Sequence, residues 1–195
     1  MPAVGSLPEE LLREILSYIL VKPTEKFFLA NYIRQGDVKS REIAPYSSVL
    51  LVCKQWHRIG TPILYTSLSL SRTKHAQSVL KVFRETPRLG SAVENLRLCG
   101  GFGPALASLV TQTPKVEALY VNSRVASIAS IVGIRRALAI LKPRTLFIHS
   151  PRDKIYSTKQ TQIDALLESM IRERTSIVSL FISANEDVLD VDYLL

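Results

Sequence analysis

A six-residue pattern recurs five times between Tyr65 and Ile182. Each copy has a Leu at its fourth position and an aliphatic residue at its sixth, which is the alternation of a β-strand with one buried face. The Leu residues follow one another at steps of 28, 23, 27 and 34 residues, and the copies read YTSLSL, VENLRL, VEALYV, PRTLFI and IVSLFI. We therefore predict five strands that occupy equivalent positions in a repeated unit.

Helical segments separate these strands. Each has apolar residues three and four apart, as an amphipathic helix requires, and the segments read HAQSVLKVF, PALASLV, SIASIVGIRRALAIL and QIDALLESMIRE. A strand and a helix every 23 to 34 residues are typical of a leucine-rich-repeat-like solenoid, with a parallel sheet on one face and helices behind. An ordinary α/β domain of strand–helix units is the alternative.

The N-terminal stretch SLPEELLREILSYIL predicts an amphipathic helix over residues 6–20. Ser6 and Glu9 fit a capping box, and Pro8 suits the first turn. Apolar residues then recur in pairs every fourth residue, as Leu11, Leu12, Ile15, Leu16, Ile19 and Leu20. This broad stripe either packs within its own domain or is kept for a partner protein.

A second helix is predicted in SSVLLVCKQWHRIG, with a Ser cap at position 47 or 48 and Gly60 as its C-terminal stop. The next residues, TPILY, suggest a short third helical turn. Residues 21–46 are predicted to form a loop with one helical piece around Phe27 to Ile33. Because these helices have apolar residues on more than one side, we expect some of that surface to bind a partner.

These segments together resemble the F-box. That family's signature is a Leu-Pro, a Glu two residues later, a Leu/Ile-rich helix and a Val-Cys/Ser-x-x-Trp helix. The matching positions here are Leu7, Pro8, Glu10, Leu11, Leu12, Ile15, Leu16, Val52, Cys53 and Trp56. The resemblance implies a helical domain at residues 5–65, with an inserted segment at about 21–46, that binds the Skp adaptor of cullin-type (SCF) ubiquitin ligases through these residues.

The predicted fold is therefore α+β, with the helical F-box followed by an irregular leucine-rich-repeat-like solenoid at residues 66–195. In F-box families such repeats usually bind the substrate. We expect the strand face to present Arg97, Tyr120, Phe147 and Phe181 to a target protein. The last residues stay apolar where a solenoid end needs a polar cap, so we expect either a shortened C-terminus or a tail that folds back.

Catalytic signatures are not found in the sequence. There is no G-x-S-x-G elbow and no HExxH, and the glycine turn LCGGFGPAL has neither phosphate-binding spacing. Cys53 and Cys99 lie 46 positions apart without zinc-site spacing. We predict no catalytic residue, cofactor or metal in this chain, with catalysis supplied by the rest of the ligase.

The formal net charge is +8, but no aromatic residues alternate with the Lys and Arg as base stacking would require. Nucleic acid and membrane are therefore not expected partners, and we predict a cytoplasmic and/or nuclear protein that binds the Skp adaptor and a protein substrate. Two alternatives stay open. One is a protein-interaction scaffold without a role in ubiquitination, and the other is a basic nucleic-acid-binding solenoid whose affinity falls steeply with salt.

Overall fold

The computed structural model describes residues 7–21, 23–29, 47–100, 103–122, 128–149, 165–169, 171–172 and 176–183. The chain divides into two compact units, Met1–Ser67 (unit 1) and Leu68–Leu195 (unit 2). The domain boundary predicted from the sequence, between residues 65 and 66, lies two residues earlier.

Unit 1 is helical in its described part. Its elements are α1 (Glu9–Leu20), α2 (Thr24–Leu29), a 3-10 turn (Ser48–Leu51) and α3 (Lys54–Leu64). Helix α2 covers the first part of the piece predicted at residues 27–33, and residues 30–33 lie outside the described part. The core of the unit consists of Leu12, Leu16, Leu20, Leu50, Ile59 and Ile63.

Helix α1 begins two residues later than the predicted Ser6 cap would place it. Pro8 precedes the helix as its N-cap residue with extended backbone (ψ 143°), and Ser6 lies outside the described residues. Glu9 and Glu10 occupy the first turn, where negative charge interacts favourably with the helix dipole. Glu9 also forms an exposed ion pair with Arg58 of α3, which ties the start of α1 to that helix.

The second predicted helix is interrupted. Cys53 has extended backbone (φ −160°, ψ 170°), so the 3-10 turn ends before it and α3 starts at Lys54. Gly60 does not stop the helix, which continues to Leu64 and takes in most of the predicted third turn. A Cβ atom on Gly60 would overlap the end of the Leu50 side chain, so the glycine lies at a close packing contact within unit 1 rather than at a helix end.

Unit 2 alternates strands and helices, and each of the five predicted strand patterns overlaps an observed strand. Residues 165–169 are helical, as predicted for that segment, while the short helix α5 was not predicted. The elements are β1 (Ser67–Leu70), α4 (Thr73–Glu85), α5 (Pro87–Gly90), β2 (Asn95–Leu98), α6 (Pro104–Val110), β3 (Ala118–Asn122), α7 (Ile128–Ile140), β4 (Thr145–His149) and β5 (Ser179–Ser183).

The five strands form one sheet in the order β1-β2-β3-β4-β5, which is their order in the chain. Strands β2 to β5 pair in parallel, and a backbone hydrogen bond from Cys99 N to Leu70 O (2.8 Å) connects the first two strands. The register aligns the fourth positions of the repeated pattern, Leu96, Leu119, Leu146 and Leu180. The mixed fold class with a parallel sheet is thus confirmed, and its assignment as a solenoid stays a prediction.

The helices between the strands pack on one another in sequence. Helix α4 contacts α6, and α6 contacts α7. The approach of α7 to the start of α6 is very close, because a Cβ atom on Gly133 would overlap the backbone of Gly103. Gly103 precedes α6 with a φ of 57°, a conformation that favours glycine. Backbone geometry therefore favours glycine at both positions, through a close contact at Gly133 and a positive φ at Gly103.

Candidate interaction surfaces

Helix α1 has two apolar sides. One side, with Leu12 and Leu16, is fully buried in the core of unit 1. The other side is exposed, and together with Leu7 just before the helix we call it the α1 row: Leu7 is 36%, Leu11 48%, Ile15 42% and Tyr18 93% exposed. Apolar side chains spaced three or four residues apart and left in water are typical of a helix that binds a partner.

Helix α1 has a buried and an exposed apolar side because its apolar residues occur in adjacent pairs. Consecutive residues on an α-helix are separated by about 100° around its axis, so both members of a pair cannot face the same way. In the pairs Leu11–Leu12 and Ile15–Leu16, the second member is buried and the first is exposed. In the sequence these pairs form one broad stripe, and Tyr18 was not among the predicted contact residues although it follows Ile15 by three residues.

A second exposed apolar site lies where the 3-10 turn meets α3, and we call it the 51–53 corner. Leu51 is 83% and Val52 59% exposed, and Cys53 is also exposed. The extended backbone at Cys53 prevents the preceding residues from joining the helix and turns them outward. Trp56 is half-buried and packs against the core of unit 1.

The residues predicted to bind the adaptor therefore divide into two groups. The exposed group can reach a partner directly and comprises Leu7, Pro8, Glu10, Leu11, Ile15, Val52 and Cys53. Leu12 and Leu16 have no exposed surface, so their prediction as contact residues is corrected: they pack inside unit 1 and position the α1 row. Trp56 has only part of its surface available.

The predicted target-binding residues form a ladder across the sheet rather than an exposed face. The parallel register places Arg97 beside Tyr120, Tyr120 beside Phe147 and Phe147 beside Phe181. Arg97, Tyr120 and Phe147 are buried, and Phe181 is half-buried. The expectation that all four are exposed is therefore wrong.

Contacts within this ladder contribute to the burial. The Arg97 guanidinium lies 4.7 Å from the centre of the Tyr120 ring, and the rings of Phe147 and Phe181 stack with their centres 4.5 Å apart. Neighbouring strands lie about 4.8 Å apart, so large side chains at one register position cover one another. The ladder stabilises the sheet, and of its four residues Phe181 keeps the most exposed surface.

The described part of the chain also bears on metal binding and on membrane insertion. No group of three His, Cys, Asp or Glu side chains there is placed to hold a metal ion. None of the helices described there combines the length and apolar character needed to cross a membrane. The chain as a whole has no match among protein-family models or among curated proteins. The exposed apolar surfaces of unit 1 are therefore the candidate functional site.

Proposed function

We propose that this chain is a substrate-recognition subunit of an SCF-type ubiquitin ligase. Unit 1 binds the Skp adaptor through the α1 row and the 51–53 corner. The observation that carries the proposal is the exposure of Leu11 and Ile15, about half of whose surface remains in water although the core of unit 1 lies on the opposite side of α1. Burying apolar surface is the main driving force of protein association.

Several residues of the F-box-like pattern support this assignment by their position. The Leu-Pro pair stands exposed before α1, and Val52 and Cys53 stand exposed before α3. The pattern therefore falls on surface available to a partner at two separate places in unit 1. Residues needed only for the core would be covered, as Leu12 and Leu16 are.

Unit 2 is the target-binding part in this proposal. Its parallel strands follow the chain order, and its helices pack in succession, an arrangement consistent with a leucine-rich-repeat-like solenoid. The chain itself contributes no catalytic group. It acts by holding the target near the enzyme that carries activated ubiquitin, so the reaction gains from proximity.

Co-expression with a Skp adaptor tests the proposal. The variant Leu11→Asp/Ile15→Asp introduces two charges into the α1 row and should lose the adaptor. The matched control Val132→Asp/Val178→Asp makes the same change at exposed apolar positions of unit 2 and should retain the adaptor. Equal recovery of the adaptor with both variants, each shown to be folded, would refute the binding site.

A second experiment addresses the scaffold alternative. A reconstituted ligase containing the chain, the adaptor, the cullin and ubiquitin-charged conjugating enzyme should modify a protein that binds unit 2. If the chain binds the adaptor but never recruits the cullin, or if bound proteins turn over equally with and without the adaptor, the scaffold function replaces the ligase function.

A further inference from the structure

A groove crosses the helical surface of unit 2. It is open to solvent, has a volume of about 410 Å³, and runs over α6, between α4 on one side and α7 on the other. Leu80 and Arg84 of α4 line one wall, and Ile140 at the end of α7 lines the opposite wall. The volume lies within the range of binding sites for ligands, which is roughly 300–1,000 Å³.

The groove exists because α6 is a short helix with small outward residues. It has 7 residues, whereas α4 and α7 have 13 each. Its groove-facing residues are Ala107 and Ser108, followed by Thr111 just beyond the helix end. No residue of α6 is charged, although Ser108 and Thr111 are exposed. The floor therefore lies low and is free of the long charged side chains that usually cover a surface helix.

Among the described residues that line the groove, only Arg84 is charged, and further exposed cations lie on the helices around it. The three helices α4, α5 and α7 contain six Lys or Arg residues and a single acidic residue, Glu85, which pairs with Lys81 at 4.0 Å. All six cations are exposed: Lys74, Lys81, Arg84, Arg88, Arg135 and Arg136. Ile140 is 44% exposed, and Arg136 lies one turn before it on the same side of α7.

We infer that this groove binds an acidic amphipathic helix of a protein partner. The apolar side of such a helix would lie on Ala107 and Ile140, and its carboxylates would face Arg84 and Arg136. Charge complementarity of this kind guides association and fixes orientation, while the apolar contact supplies affinity. The inference does not depend on adaptor binding, because the groove belongs entirely to unit 2.

Other occupants fit the groove less well. Single-stranded nucleic acid is held by base stacking on aromatic side chains, and none of the described groove-lining residues is aromatic. A free small anion would use Arg84 but would leave the apolar wall at Ile140 in water. A peptide with both acidic and apolar side chains matches both features.

Fluorescence anisotropy with a designed peptide tests the inference on the full chain. The probe is a labelled helical peptide of about 14 residues, with Leu and Ala on one side and Glu on the other. Arg84→Glu should weaken its binding roughly fivefold to tenfold, since attraction becomes repulsion. The control Arg172→Glu changes the net charge equally at an exposed position outside the groove and should change the affinity less than twofold.

A steric pair of variants checks the location. Ser108→Trp fills the floor and should abolish peptide binding, whereas Ser78→Trp, exposed on α4 outside the groove lining, should not. A matching peptide with Lys in place of Glu should bind the Arg84→Glu variant more tightly than it binds the wild-type chain. Three results would each overturn the inference. The first is equal weakening of peptide binding by Arg84→Glu and Arg172→Glu, and the second is full peptide binding by Ser108→Trp. The third is displacement of the peptide by inorganic phosphate or a single-stranded oligonucleotide at a lower concentration than unlabelled peptide requires.

Discussion

Leu11 and Leu12 are neighbours in sequence, but their side chains have opposite environments. Leu12 is fully buried and Leu11 is 48% exposed. Leu12→Ala should therefore lower the free energy of unfolding of unit 1 by about 2–5 kcal/mol, the usual cost of a buried Leu-to-Ala change. Leu11→Ala should lower it much less, by roughly 1 kcal/mol or under.

The effect on adaptor binding should be reversed. Full burial of a Leu side chain contributes about 1.5–3 kcal/mol, and the exposed 48% of Leu11 is the part that a partner can still cover. That fraction corresponds to about 0.7–1.4 kcal/mol, so Leu11→Ala should raise the Kd for a Skp adaptor roughly threefold to tenfold. Leu12→Ala should leave the Kd of the folded protein unchanged.

Both quantities can be measured on the same samples. The chain has one tryptophan, Trp56, which packs against the core of unit 1, so its fluorescence during urea unfolding reports on that unit. Isothermal titration calorimetry with the adaptor gives the Kd. An unchanged Kd for Leu11→Ala, together with a raised Kd for folded Leu12→Ala, would refute the division of α1 into a core side and a partner side.

Three further outcomes are expected. Gly133→Ala should lower stability in urea by about 1–3 kcal/mol, because the added methyl meets backbone, although the same change in a free helix would raise stability. Phe147→Ala should cost about 3–5 kcal/mol by removing a buried ring stacked on Phe181, seen as a lower melting temperature of the sheet in circular dichroism. Arg58→Ala should change thermal stability by less than about 1 kcal/mol, with no further loss when Glu9 is also replaced, since that pair is exposed.

The strands of unit 2 could be predicted from the sequence because their signal is local and repeated. A Leu followed two residues later by an aliphatic residue marks the buried side of each strand, and parallel register then aligns Leu96 with Leu119 and Leu146. Proline-started helix α6 was located with its correct ends for a similar reason. These features depend on residues close in sequence.

Features that depend on packing between distant residues were not predicted. Gly60 looked like a helix end, but the space around it is set by Leu50 and Leu16, which sit on other elements. The burial of Arg97 and Tyr120 likewise depends on neighbouring strands, since each side chain is covered partly by its register partner. The alternation of residues along a strand predicts which face of the sheet a side chain lies on. It does not predict how much of that face is covered by other parts of the chain.

The chain-order sheet has a consequence for the rate of folding. Each strand must find only a partner 23 to 34 residues away, and the entropy of closing loops at these two extremes differs by only about 0.3 kcal/mol. No strand waits for a distant segment of the chain. The sheet therefore has a low contact order for a parallel β structure, which favours fast folding.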